Sequence, residues 1–224
     1  MKNRYKIIFS FWAVLILLIF AELTSIPVSA KDMDIDQDLR QGIRLYDKGN
    51  YEEALKYFIS LDKSYPDNGN IFYEIANTYY AFNDYDNALA YAQKASALLP
   101  QSDKAKVLLG NIYDNLNKSE EALKQYLAAI KINPESDSAY YNLGIFYYNN
   151  GRYKEAEGAF INSLVINEEN LSPFYSLGYV YMRLNETDMA KEAFQRFLDW
   201  GKENVRSVEV RNVLKTIILN EQKK

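Results

Sequence analysis

The 224-residue chain contains neither cysteine nor histidine. Without cysteine it has no disulfide, and without either residue type it offers no thiolate or imidazole ligand to a metal ion. The commonest general base and the cysteine nucleophile are also missing, which excludes many classes of enzyme. No glycine-rich phosphate-binding loop and no G-x-S-x-G sequence occurs either. The sequence therefore predicts a protein that is not an enzyme and that uses no metal and no cofactor.

The chain also lacks a long run of positive charge. Its formal net charge is −4 at pH 7. A net-acidic chain of this kind is a poor partner for nucleic acid or for an anionic lipid surface. We therefore expect a protein or peptide partner and no nucleic acid.

The first thirty residues have the order of a secretory signal peptide. Three cations in MKNRYK precede the apolar run of residues 7–21, and VSA stands before Lys31 like a cleavage site. A helix of that run rises only about 22 Å, against about 30 Å for the hydrocarbon core of a membrane. We expect residues 1–30 to be a signal peptide cleaved after Ala30. Export to the periplasm or another extracytoplasmic part of a bacterial cell envelope would follow. The alternative is a retained N-terminal anchor formed by residues 7–21, which would then be the protein's attachment to the membrane.

After a short acidic lead-in at residues 31–34, the chain divides into five 34-residue units without an insertion: 35–68, 69–102, 103–136, 137–170 and 171–204. Positions within a unit are numbered here as places 1 to 34. Place 8 is always small, place 20 is always alanine, and place 24 is aromatic except for Ala92 in the second unit. Apolar residues fall at helical spacing in two segments of each unit, which predicts a helical hairpin. Residues that tolerate the left-handed conformation stand between the two segments: Gly49, Asn83, Asn117, Gly151 and Asn185.

The pattern resembles that of the tetratricopeptide repeat (TPR) family, W-x2-L-G-x2-Y, then A-x3-F, then P. The fourth unit matches it with Tyr140, Leu143–Gly144, Tyr147, Ala156 and Phe160. The resemblance implies an all-α fold, a right-handed superhelical solenoid of helical hairpins. Departures occur at place 4, where Asp38 and Lys106 replace the first aromatic residue.

Residues 205–224 no longer follow the pattern, and we interpret them as a C-terminal capping helix on the fifth unit. A helix for docking a partner is the alternative. The expected apolar stripe of this segment consists of Val205, Val208, Leu214, Ile217 and Ile218.

Places 2, 5, 9 and 12 share one stripe of the first helix of each unit. The resemblance implies that this stripe lines the concave groove of the superhelix. Tyrosine rings and asparagine amides there suit contact with an extended peptide. The alternative is that the rings fill the seams between neighbouring first helices. The predicted partner-binding groove consists of Tyr73, Asn77, Tyr80, Asn111, Asp114, Tyr141, Asn142, Tyr148, Tyr175 and Tyr179.

These residues predict a non-catalytic interaction scaffold of the bacterial cell envelope that binds a peptide segment or a protein partner in this groove. A self-associating structural subunit of an envelope assembly is the alternative.

Some TPR proteins bind a C-terminal carboxylate through a clamp of cations and amides. Here Val107, Ser172 and Ser176 occupy the cation places, so that mode is not predicted.

Overall fold

The structure is a computed structural model that describes residues 30–201 and 205–221, with side chains described for 35–201 and 205–220. The predicted signal segment lies outside the described residues except for Ala30, as do the last three residues of the chain. No helix in the described ranges combines the length and the apolar character needed to cross a membrane.

Eleven α-helices account for the described part of the chain, which contains no strand. The first begins at Ala30, so residues 31–34 lie in its first turns. In chain order the helices are α1 (Ala30–Asp47), α2 (Tyr51–Ser64), α3 (Gly69–Ala81), α4 (Tyr85–Leu98), α5 (Asp103–Asn115), α6 (Ser119–Ile132), α7 (Asp137–Asn149), α8 (Tyr153–Ile166), α9 (Ser172–Arg183), α10 (Thr187–Trp200) and α11 (Val205–Glu221).

The helices pair into five hairpins, one for each sequence unit, which are called repeats one to five below. The second helices of the hairpins begin 34 residues apart, at Tyr51, Tyr85, Ser119, Tyr153 and Thr187. Each hairpin packs on the next, because a single hairpin cannot bury both of its faces. The predicted all-α solenoid is confirmed.

Local sequence determines where the helices start. The side-chain oxygen of Asn68 accepts hydrogen bonds from two backbone N–H groups in the first turn of α3, at 2.9 and 3.2 Å. Ser102 caps α5 in the same way, with a bond of 3.1 Å from the N–H of Ala105. These caps satisfy donors that have no partner inside the helix.

The turns inside the hairpins have the backbone conformation that the sequence predicts. All five residues named for these turns have positive φ, in the left-handed region that glycine and asparagine tolerate best. The prediction is confirmed with φ of 79° at Gly49, 59° at Asn83, 57° at Asn117, 75° at Gly151 and 61° at Asn185.

Each hairpin closes around one contact between place 8 and place 24. In repeat four, a Cβ added to Gly144 would lie 2.6 Å from Cε1 of Phe160, so only glycine permits this approach. In repeat two both places hold alanine, and Ala76 and Ala92 belong to one buried cluster. The glycine–ring contact recurs as Gly42 with Phe58, Gly110 with Tyr126, and Gly178 with Phe194.

Polar contacts account for the two departures at place 4. The carboxylate of Asp38 accepts hydrogen bonds from the hydroxyls of Tyr57 and Tyr65, at 3.3 and 3.2 Å. The ammonium of Lys106 donates to the hydroxyl of Ser96 at 2.6 Å. These bonds replace the ring packing that an aromatic residue would supply at this place.

The first helices of successive repeats pack on one another along the array, whereas each second helix packs chiefly on the first helices beside it. The first helices α1, α3, α5, α7 and α9 therefore form one continuous surface, called the first-helix face below. The predicted groove residues all belong to these helices.

Helix α11 packs on repeat five and covers its end. Val210 and Ile217 are buried, and Val210 belongs to the core around Phe194 and Phe197. The predicted apolar stripe is wrong at Val205 and Val208, which are 85% and 52% exposed, and at Ile218. Apolar residues of α11 thus lie on both sides of the helix, and only one side has a partner among the described residues.

Candidate functional site

A polar cavity of about 480 Å³ opens on the first-helix face between repeats three and four. Four of the ten predicted groove residues line it: Tyr80, Asn111, Asp114 and Asn142. Its size falls within the range of about 300–1,000 Å³ that is typical of ligand sites. The other lining residues are Asn115, Asn117, Ser119, Tyr126, Ile145, Asn149 and Asn150.

The cavity exists because place 12 changes from tyrosine to aspartate in repeat three. In the neighbouring repeats the ring at place 12 bridges to place 13 of the next repeat. The hydroxyl of Tyr80 accepts from Nδ2 of Asn115 at 3.0 Å, and that of Tyr148 accepts from Nε of Arg183 at 3.5 Å. Asp114 is too short to fill the same space, so the seam between repeats three and four stays open.

The floor of the cavity is Tyr126, whose ring is 2% exposed. Its hydroxyl donates a hydrogen bond to Oδ1 of Asn111 at 2.7 Å. Burial raises the pKa of the Tyr126 hydroxyl well above its ordinary value, so the group stays protonated and acts as a donor. This bond fixes the orientation of the Asn111 amide.

Three further amides use their donors within the protein. Nδ2 of Asn115, Asn142 and Asn150 each donates to the backbone carbonyl four residues earlier, at 2.9, 2.8 and 2.8 Å. No donor among the described residues reaches the Oδ1 atoms of these three side chains. Each Oδ1 can accept up to two hydrogen bonds. These three side chains therefore present acceptors to the cavity, beside the Nδ2 donor of Asn111.

Asp114 adds a negative charge to these acceptors. Its side chain is half-buried, and burial raises the pKa of its carboxyl above the ordinary value. No lysine or arginine lines the cavity. A bound group that supplies hydrogen-bond donors or positive charge would satisfy the site as it stands.

Three of the remaining predicted residues lie in the seams of the solenoid. The ring of Tyr141 packs on Phe160, with centroids 5.6 Å apart. Tyr73 packs against the cores of two adjacent repeats, and burial raises its pKa to about 12. Burial raises the pKa of the Tyr46 hydroxyl, and the Asn77 amide beside it opposes the shift. For these residues the seam interpretation accounts for the contacts.

The last three predicted residues bond to neighbouring first helices or to α11. The hydroxyls of Tyr175 and Tyr179 both donate to the carboxylate of Glu209 on α11. Tyr148 pairs with Arg183, as described above. The structure thus gathers four predicted residues at one cavity and places the other six elsewhere on the first-helix face.

One acidic side chain outside the ten predicted groove residues lies near Tyr73. Burial and, after it, the charge of Asp47 raise the pKa of Glu74 to about 7, while Lys104 opposes the shift. The folded protein therefore holds a proton on Glu74 at a pH where the unfolded chain has lost it. The carboxylate destabilises the fold as the pH rises from about 4.5 through about 7.

Sequence reasoning missed Asn115 and Asn149 at place 13, along with the turn residues of the cavity rim. A signal was present, because place 12 holds an aromatic ring in three repeats and Asp114 in the third. One short residue among the aromatic residues at place 12 indicates the pair of repeats between which a cavity can form.

Four family models match the chain. One described as "TPR repeat" matches residues 110–151, and three described as "Tetratricopeptide repeat" match residues 39–103, 138–174 and 171–203. No curated protein matches the sequence.

Solved structures of TPR proteins have the same fold. A thermophilic TPR protein of Thermus thermophilus, TTC0263, is 21% identical, with a TM-score of 0.71 over 82% of this chain and 98% of that one. PilF of Pseudomonas aeruginosa is 19% identical, with a TM-score of 0.72 over 87% and 93%. Residues 41 to the end of MamA from Desulfovibrio magneticus RS-1 are 21% identical, with a TM-score of 0.61 over 74% and 93%.

The chain belongs to the tetratricopeptide repeat family, with five repeats and one further helix. Members of this family act as scaffolds for protein–protein interactions and are generally non-catalytic. Because these structures are less than 25% identical to this chain, the similarity shows the fold and does not show which partner the chain binds.

Proposed function

We propose that this protein is a non-catalytic scaffold that holds an extended peptide segment of a partner protein on its first-helix face. The cavity between repeats three and four is the anchoring point. The single observation that supports this proposal is the cavity itself, about 480 Å³ in volume and lined by amide acceptors that have no donor among the described residues. In the free protein these acceptors bond to water, and a ligand that supplies donors would replace that water with direct hydrogen bonds.

The N-terminal segment supports a place for this scaffold in the bacterial cell envelope. Its three cations, apolar run and small residues before Lys31 have the order of an export signal. Cell fractionation and mass spectrometry of the intact protein test this placement. Export predicts Lys31 as the first residue of the mature chain. An intact Met1 in the membrane fraction would instead indicate an anchor, and an intact chain in the cytoplasm would contradict export.

Site-specific photo-crosslinking in intact cells tests the anchoring point. A photoreactive residue at Asn149, on the exposed rim of the cavity, should capture the partner. The same residue at Lys131, exposed on the second helix of repeat three, is the matched control and should not. The double substitution Asn142→Ala/Asn150→Ala should weaken capture at Asn149 without changing the circular dichroism of the chain. Equal capture from both positions, or capture that ignores the double substitution, would show that the groove proposal is wrong.

A second candidate is a self-associating structural subunit, and one observation favours it. The side of α11 that faces away from repeat five exposes Val208, Ile218 and Leu219. Light scattering over a range of concentrations separates the two functions. A monomer at every concentration would count against self-association.

A further inference from the structure

We infer that the cavity between repeats three and four binds an arginine side chain of the partner's peptide segment. The inference rests on the proposed function and gives it a chemical specificity. It follows from the acceptors, the charge and the shape of the site.

The acceptors of the cavity match the donors of a guanidinium. Asn115, Asn142 and Asn150 turn their N–H groups to backbone carbonyls and leave their Oδ1 atoms without a donor. The carboxylate of Asp114 adds two more acceptor oxygens. A guanidinium has five N–H donors and no acceptor, so it can pair with these atoms without leaving a mismatched group. A ligand that offers only carbonyl or carboxylate oxygens would leave these acceptors unpaired.

The charge of the cavity is also complementary to arginine. Asp114 is the one ionisable carboxylate among the lining residues, and no cation lies among them to neutralise it. Because the side chain is half-buried, a pairing cation would be attracted more strongly than at an open surface. The absence of cations at Val107, Ser172 and Ser176 disfavours an acidic ligand on the same face.

Shape distinguishes arginine from lysine. The acceptors come from separate helices, Asp114 and Asn115 on α5 and Asn142 on α7. The planar fork of a guanidinium reaches several acceptors at once, whereas an ammonium is a compact point charge. The ring of Tyr80 also lines the cavity, and arginine stacks on aromatic faces.

Two synthetic peptide mixtures test the inference on the full-length chain. Both consist of heptapeptides that are acetylated and amidated, so that no terminal charge is present, and both are random, with arginine and lysine left out, at every position except the central one. That residue is arginine in one mixture and citrulline, its neutral isostere, in the other. We expect immobilised protein to retain at least ten times more of the arginine mixture.

Matched variants assign the preference to the cavity. Asp114→Asn keeps the shape of the side chain and removes its charge, and it should reduce the arginine-to-citrulline ratio to about one. Asp86→Asn, at an exposed position on α4, is the control and should leave the ratio unchanged.

Every outcome decides the point. Equal retention of the two mixtures overturns the arginine assignment while peptide binding by the groove stands. A preference that survives Asp114→Asn overturns the assignment to this cavity. Retention of neither mixture overturns the inference, and photo-crosslinking at Asn149 then decides the proposed function independently.

Discussion

The substitution Gly144→Ala tests the central packing contact of the hairpins. The added Cβ would lie 2.6, 2.7 and 2.9 Å from three carbons of the Phe160 ring. Atoms cannot approach that closely, and the ring is fully buried, so it cannot move aside without opening space elsewhere. Overpacking of this kind costs about 1–3 kcal/mol.

The same substitution also gives helix α7 a better helix former, which returns about 1 kcal/mol. Taking the upper end of the packing cost, we expect Gly144→Ala to lower the free energy of unfolding by about 2 kcal/mol. Urea denaturation of the purified chain, followed by circular dichroism, measures the change.

Gly158→Ala is the matched control. Gly158 lies within α8, 14 residues further along the chain, and a Cβ added there meets nothing within 4 Å. Only the gain in helix propensity remains, so this variant should be more stable by about 1 kcal/mol. If both substitutions shift the midpoint in the same direction by the same amount, the reasoning about the glycine–ring contact is refuted.

Three further predictions concern single polar groups. Glu74→Gln should raise the free energy of unfolding by about 2 kcal/mol at pH 8 and change it little at pH 4.5, because the pKa of Glu74 in the folded protein is raised to about 7 and only the ionised carboxylate is costly. A gain that does not vary with pH in urea titrations would contradict this. Ser163→Ala should stabilise by about 1 kcal/mol in the same assay, since the buried hydroxyl has no hydrogen-bond partner; a loss of stability would show that the hydroxyl is satisfied. Glu209→Ala should speed amide hydrogen exchange in α11, because it removes the acceptor of the Tyr175 and Tyr179 hydroxyls; unchanged exchange would mean that these bonds do not hold the helix.

Much of the fold was predictable because the repeat imposes one packing solution five times. The 34-residue period predicted the hairpins, and the residues at the turns predicted left-handed backbone that the structure confirms. For Gly144 and Phe160 the sequence indicated only a small residue at place 8 and an aromatic one at place 24. The contact between them could not be assigned without the structure, because helical periodicity gives the face of a residue and not the atom that it meets.

The candidate site was predictable only in part. The stripe of places 2, 5, 9 and 12 named Tyr80, Asn111 and Asp114, and Asn142 was added beside it at place 6; all four line the cavity. It also named Tyr141, whose ring packs inside the solenoid against Phe160. Which rings fill a seam depends on the size of the residues in the next repeat, and a stripe drawn on one helix does not contain that information. Tyr126 was not among the predicted groove residues, yet its hydroxyl orients the Asn111 amide at the base of the cavity.

The partner of every place-8 glycine lies within its own 34-residue unit, as Gly110 with Tyr126 and Gly178 with Phe194. A gene that gained or lost one whole unit would therefore keep each surviving pair intact. A tyrosine or aspartate at place 12, by contrast, acts across the junction with the next unit. Duplication or deletion can thus lengthen or shorten such a protein while preserving its hairpins, and it is the order of the units that creates or erases a ligand cavity.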